Sequence, residues 1–286
     1  MRATGVGPIT RMTSHAMFAV CAAFAAAIVG VLVLVTVYLV GLGAQSLSLE
    51  FFTAVPTGDV ANPGGMKHAI VGTVVLVGLA ALAGVPLGML AGVYLSEYQS
   101  DGWLVTPVRF IADVLVGVPS IVVGILGYEL LVVPMGRNSG WAGAAALAFI
   151  MIPIVARTTE EMLRLVPDSY RAGSMALGAS KAQTVLRVVL PAASGSVVTG
   201  IMLALARVAG ETAPLLFTAL GSRFLTVNPS EPFPSLTQQI YAYATGPYPE
   251  QKRLAWAGIL VLIALLFVLN LAIRLVAARS ARHLKR

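Results

Sequence analysis

"VPDSYRAGSMALGASKAQTVLRVVLP", Val166–Pro191, is the most patterned polar stretch in a chain that is otherwise small and apolar. Pro167 leads into Asp168, a residue suited to cap a helix, and the spacing predicts a short helix through Leu177. Gly178 then supplies the left-handed backbone position at which helices commonly end. Ser180, with Gln183 three residues later, reads as a capping box opening a second helix, which Pro191 is expected to close. The product is a pair of short helices joined by an elbow. Local chemistry leaves open whether they engage a partner or rest on a membrane surface as an amphipathic connector.

Composition says what surrounds this elbow. The chain has 286 residues, of which 58% are hydrophobic and only 11% charged. A soluble domain would carry roughly 25% charged residues, so the chain is read as a bilayer protein. One cysteine, Cys21, excludes an internal disulfide framework and a cysteine zinc site. The net charge of +7 does not form a basic stripe interleaved with aromatics, which argues against nucleic acid. The apolar run after Met12 is far longer than a secretory signal core of about 7–15 residues.

A membrane span needs about 20 mostly apolar residues. Six segments qualify: 16–44, 68–95, 105–133, the short 141–156, 194–220 and 254–278. They predict an all-α polytopic protein with a tail over 1–15, a membrane domain over 16–286 and a polar loop over 157–191. With both termini in the cytoplasm, thirteen of the nineteen Lys and Arg residues fall on the cytoplasmic side and five outside, leaving Arg207 in the membrane. That distribution satisfies the positive-inside rule. The two long external loops contain "VPTGDVANPGG", expected to be extended, and "NPSEPFPS" with "TGPYPEQ", expected to be turns around a short helix.

Inside the second span Gly84, Gly88 and Gly92 recur every fourth residue, a spacing that lets another helix approach closely. We read it as intramolecular packing. Pro86, Pro119, Pro153 and Pro214 are each expected to free a carbonyl and kink a span. Irregular backbone persists in a bilayer only where protein or a water-filled cavity satisfies it, so an interior path is expected.

Charges within spans are costly, at least about 2.5–3.5 kcal/mol each on insertion scales. In "LALARVAGETAPLLF", Arg207 and Glu211 stand four residues apart, one helical turn, with Gly210, Thr212 and Pro214 around them. They are either a self-neutralising pair or the lining of an anion path, with Arg207 as donor. Arg157 ends the fourth span beside Glu160 and Glu161, as an interface anchor or a second path residue. Asp113 is expected to pair with Arg109, one turn before it. Glu129 is placed near the external end of its span, and His15, His68 and His283 have no metal-ligand company, so no metal site is expected.

The elbow also carries a resemblance. Permeases of ATP-binding-cassette importers share a loop reading E-A-A, three residues, G, nine residues, I-x-L-P. Here Ala172, Gly173 and Ser174 stand at the opening triplet, Gly178 at the glycine, and Val188, Leu190 and Pro191 at the end. The opening Glu and both alanines are replaced; the glycine, its spacing and the Leu-Pro are present. Together with "YLSEY", "PVRFIADVLVGVPSIVVG", "MIPIVARTTEEMLRLVPDSYR" and "ARVAGETAPLLFTALG", the chain resembles the A-type permease subunit of the bacterial phosphate importer.

The resemblance implies a type I importer permease fold in the bacterial plasma membrane, with no catalytic centre. It implies a C-type sister permease, two copies of a cytoplasmic ATPase gripping the 168–191 loop, and an external phosphate-binding protein. The chain lacks the G-x-x-x-x-G-K-[ST] loop, so ATP and Mg belong to the partner ATPase and this chain binds no cofactor. It places Arg207, Glu211, Arg157 and Thr212 along the substrate path. Alternatives are a permease for another oxyanion and an ion-gradient transporter; the latter is expected to show inverted repeats, and none is evident.

Overall fold

The computed structural model describes residues 8–98 and 105–283. Residues 1–7 of the predicted tail, and Lys285 and Arg286 from the cytoplasmic set, lie outside them. Among the described residues the fold is helical, with only two isolated bridges, Pro56 to Gly64 and Leu220 to Phe233.

A bilayer offers no water to satisfy backbone groups, so each long apolar run closes its hydrogen bonds internally as a helix. In chain order these are α1 (Pro8–Ala44), the short α2 (Leu49–Thr53) and α3 (Lys67–Glu97). The predicted third span is two helices, α4 (Val105–Gly117) and α5 (Ser120–Met135). Then come α6 (Gly140–Arg164), the elbow helix α7 (Asp168–Ala176) and α8 (Lys181–Ala209). A short α9 (Ala213–Thr218), then α10 (Leu236–Thr245) and α11 (Pro249–His283) complete the described residues. Five of these helices are long and apolar enough to cross a membrane, and α4 with α5 makes a sixth if a bent pair counts as one span.

The core lies where α3, α6 and α8 meet, around Leu76, Leu147, Met151, Val155, Ala204 and Val208. The glycine stripe faces α6 as expected. A Cβ on Gly88 would stand 2.7 Å from the Val155 Cβ, and one on Gly92 would stand 2.6 Å from the Ala156 carbonyl oxygen. α3 and α6 are therefore pressed backbone to backbone. By contrast, α1 leaves its apolar surface uncovered within this chain and touches α11 near Tyr38 and Trp256, whose rings meet edge to face.

Several boundaries differ from expectation. The third span bends by 104° at Val118–Pro119, because proline lacks an N–H and disfavours helical backbone before it. The fourth reaches Arg164 rather than stopping near Ala156, since its last two turns bury Thr159, Glu160 and Leu163. The fifth, predicted over 194–220, ends at Ala209 and resumes as α9. Pro86 and Pro153 sit inside continuous helices, whereas Pro119 and Pro214 flank breaks.

The elbow forms with two corrections. Pro167, not Asp168, occupies the cap position of α7, and Asp168 sits in its first turn. Gly178 takes φ +89°, and Ser180 and Gln183 make the reciprocal capping box. Pro191 does not close the second helix, which runs on into the membrane as α8. A π turn over Val185–Val189 precedes it and absorbs the missing donor. The same arrangement occurs in α5, where a π turn over Tyr128–Val132 precedes Pro134.

Candidate functional site: two broken spans and a cluster of arginines

The two breaks meet. Gly124 of α5 lies against α9, where a Cβ would stand 2.8 Å from the Pro214 Cα, and Gly127 lies against Thr218. Discontinuous helices of this kind gather unpaired backbone groups at a membrane's middle, where transporters hold substrates.

Carbonyls freed around the second break are taken up by distant side chains. Thr237 Oγ1 donates to the Glu211 carbonyl at 3.0 Å, and Gln238 Nε2 to that of Leu215 at 2.7 Å. Asn138 Nδ2 donates to the Phe217 carbonyl at 2.6 Å. Behind α9, Leu220 is forced to φ +62°, its N–H bonded to the Leu215 carbonyl, and the buried Phe233 closes the turn by donating its N–H to Ala219. Residues 233–238 thus fix the break in a defined shape.

Arg207 lies in the last turn of α8, and Glu211 lies beyond the helix end. They do not share a continuous helix face as the four-residue spacing suggested. Arg207 Nε stands 3.9 Å from Glu211 Oε1, too long for a hydrogen bond. Arg207 is 49% exposed and Glu211 16%. Thr212 takes the cap position of α9 without a side-chain capping bond.

Arg157 is differently placed. Its Nε is 2.7 Å from Asp113 Oδ1, its Nη1 2.7 Å from Glu160 Oε2, and its Nη2 3.8 Å from Glu161. Gly200 of α8 packs on Thr158, so Arg207 lies roughly 10 Å further along α8 than the level of Arg157. The two arginines have separate partners.

Glu160 is the residue the sequence reading undervalued. Its carboxylate is fully buried and also receives Arg109 Nε at 2.9 Å and Arg164 Nη2 at 2.7 Å, so three guanidinium groups surround it. The expected Arg109–Asp113 pair is not made: Arg109 turns to Glu160 and Asp113 to Arg157. A carboxylate out of water gains more from several charge-assisted bonds than from one in-helix neighbour. The available signal was the spacing in "RTTEEMLR", which puts Glu160 within a turn of both Arg157 and Arg164.

On the elbow, Ala172, Gly173 and Gly178 are exposed, and Ser174 shares a hydrogen bond of 2.9 Å with Thr184. Leu190 and Pro191 are half-buried at the root of α8. Tyr170, Met175 and Leu177 present apolar surface outward, Leu177 almost fully.

Residues 84–282 match the family described as binding-protein-dependent transport system inner membrane component. The chain is 43% identical over 238 residues to the phosphate transport system permease protein PstA of Yersinia pestis, covering 83% of this chain and 81% of that one. It is 40% identical to the probable PstA of Methanocaldococcus jannaschii, over 74% and 76% of the two chains. PstA 1 of Mycobacterium tuberculosis H37Rv is 42% identical, over 77% and 72%. Among solved structures, a bacterial ABC transporter importing the acidic polysaccharide alginate superposes with TM-score 0.64 at 15% identity, over 94% of this chain and 96% of that one. The inward-facing MetNI methionine ABC transporter gives TM-score 0.56 at 22% identity, over 78% and 95%. These two likenesses show the fold.

Proposed function

The chain belongs to the binding-protein-dependent transport inner membrane components, and to the PstA permeases among them; from that premise we propose that it forms half of the membrane path of an ATP-driven inorganic phosphate importer. A C-type sister permease supplies the other half. Two copies of a cytoplasmic ATPase, which bind ATP and Mg, dock on the elbow through Ala172, Gly173, Ser174 and the apolar surface beside them. An external binding protein delivers phosphate. Both termini face the cytoplasm of a bacterial cell.

The observation that carries this reading is the state of Arg207. It is half exposed, loosely held by Glu211, and stands at a helix break. A guanidinium matches the geometry of a tetrahedral oxyanion, and at this site it is free to turn to one. Arg157, held by Asp113 and Glu160, becomes available only if one of those partners is released. Phosphate is therefore met first by Arg207, with Thr212 beside it, and by Arg157 after rearrangement.

The test is phosphate uptake by the complete importer in proteoliposomes. Arg207→Ala abolishes ATP-dependent uptake while the sister permease and ATPase still co-purify, and Arg207→Lys retains a fraction. Wild-type uptake by Arg207→Ala refutes the assignment.

A further inference from the structure

The elbow has a problem of attachment. No residue of α7 is buried, so apolar packing does not fasten it to the bundle. A helix that transmits force needs a fixed connection; Ser174 shares one hydrogen bond with Thr184 of α8, and Arg171 supplies the connection to α3 and α6.

Arg171 uses all five of its N–H donors. Nε and Nη2 form a fork on Glu97, at 3.0 Å to Oε2 and 2.7 Å to Oε1. Nη2 also donates to the Leu163 carbonyl at 2.9 Å, and Nη1 to the Val166 carbonyl at 2.6 Å. The fifth bond, Nη1 to Asp168 Oδ1 at 3.2 Å, stays within α7. Glu97 is the last residue of α3 and its side chain is only 5% exposed. Leu163 and Val166 bracket the end of α6. One guanidinium therefore joins the elbow to the cytoplasmic ends of both helices that the glycine stripe presses together. The Glu97 bonds also raise the Arg171 pKa above its ordinary value, so the charge is fixed at any physiological pH. A second, softer contact lies alongside: the Lys181 ammonium sits 4.7 Å from the centre of the Tyr98 ring.

We infer that the Arg171–Glu97 fork is the pin through which movement of the elbow is passed to α3 and α6, and through α6 to Arg157 and Glu160. Arg171 and Glu97 are positioning residues; neither touches the substrate. The inference rests on the proposal that the elbow is the ATPase-docking segment. A bidentate pair resists both pulling and twisting, which a single point contact does not. The path residues on α6 lie within two turns of Leu163, so displacement there reaches them through one rigid rod.

The experiment uses the complete importer in proteoliposomes and compares wild type with Glu97→Gln, Glu97→Asp and Arg171→Lys. Three quantities are read: ATP hydrolysed, phosphate imported, and ATP-induced change in labelling of Thr212→Cys by an impermeant thiol reagent in a Cys21→Ser background. With the pin cut in Glu97→Gln, the ATPase stays bound and hydrolysis continues. ATP consumed per phosphate rises about 5-fold or more, and ATP no longer changes Thr212 labelling. Arg171→Lys behaves similarly, and Glu97→Asp, which keeps the charge, falls closer to wild type. An unchanged ratio and unchanged labelling response in Glu97→Gln overturn the inference. So does a proportional fall of hydrolysis and uptake with loss of the ATPase, which makes the pair a support for docking only. Labelling does not require phosphate, so an ATP-dependent labelling response in the reporter with the pin intact, together with no phosphate import by the chain that keeps Thr212 and Cys21, refutes the substrate reading while the labelling arm still decides the pin.

Discussion

Gly124 and Pro214 meet at the point where two broken spans touch, and the α5 backbone lies so close to α9 that a Cβ on Gly124 would come within 2.8 Å of the Pro214 Cα. The neighbouring atom is backbone and cannot rotate away. Gly124→Val therefore parts α5 from α9, with an overpacking cost of about 1–3 kcal/mol. Phosphate uptake falls steeply, and the thermal midpoint of the purified importer drops. Gly30→Val, at a position with open space around it, leaves both unchanged.

Glu211 faces the anion that Arg207 is proposed to hold. Inorganic phosphate near neutral pH always keeps at least one proton, because its second ionisation falls close to neutrality and its third far above it. A carboxylate accepts that P–OH and repels a fully deprotonated oxyanion such as sulfate. Glu211→Gln is expected to lower the preference for phosphate over sulfate, measured as competition by sulfate in uptake assays. Unchanged competition with full uptake would sink the idea.

Removing the charge at Glu160 leaves Arg109, Arg157 and Arg164 around a neutral amide. The carboxylate is fully buried, so Glu160→Gln costs about 3–5 kcal/mol, the range for breaking a buried pair by deleting one partner. Asp113, whose side chain is 50% exposed, provides the comparison. Asp113→Asn costs less, because Arg157 keeps Glu160 as a partner and Asp113 is not buried within the chain. Thermal unfolding of the two variants in one detergent separates them.

Gly178 joins the two elbow helices at φ +89° with nothing near the position of its missing Cβ. Space therefore does not oppose Gly178→Ala; backbone strain of about 1–2 kcal/mol does. The variant inserts and assembles, but its elbow is cut faster in limited proteolysis and retains less ATPase through purification.

How much of this was legible in the sequence depended on distance along the chain. Gly178 and the Ser180–Gln183 box were readable because each uses chemistry within three residues. The glycine stripe was readable because its period matches a helix. Arg109 and Asp113 misled, since four-residue spacing permits a pair but cannot reveal two better partners on α6. The helix end at Ala209 was hidden for a similar reason. The carbonyls of Glu211 and Leu215, just past the break, are taken by Thr237 and Gln238 more than twenty residues later, so an apolar run read alone looked continuous. Glu97 and Arg171, 74 positions apart, carried no local sign of each other.

The π turn ahead of Pro191 also fixes an angle. α8 is a single rod from Lys181 to Ala209, with the elbow at its foot and Arg207 at its head. A π turn inserts one residue into the helical count, and one residue corresponds to about 100° of rotation. The direction in which Arg207 points is thus set at the base, at Val185–Val189, and not at the break beside it. Were that turn to relax into ordinary helix, the elbow would keep its place while Arg207 swung about a quarter of a circle from its present direction. The rod works like a key whose teeth are aligned by the shape of its handle.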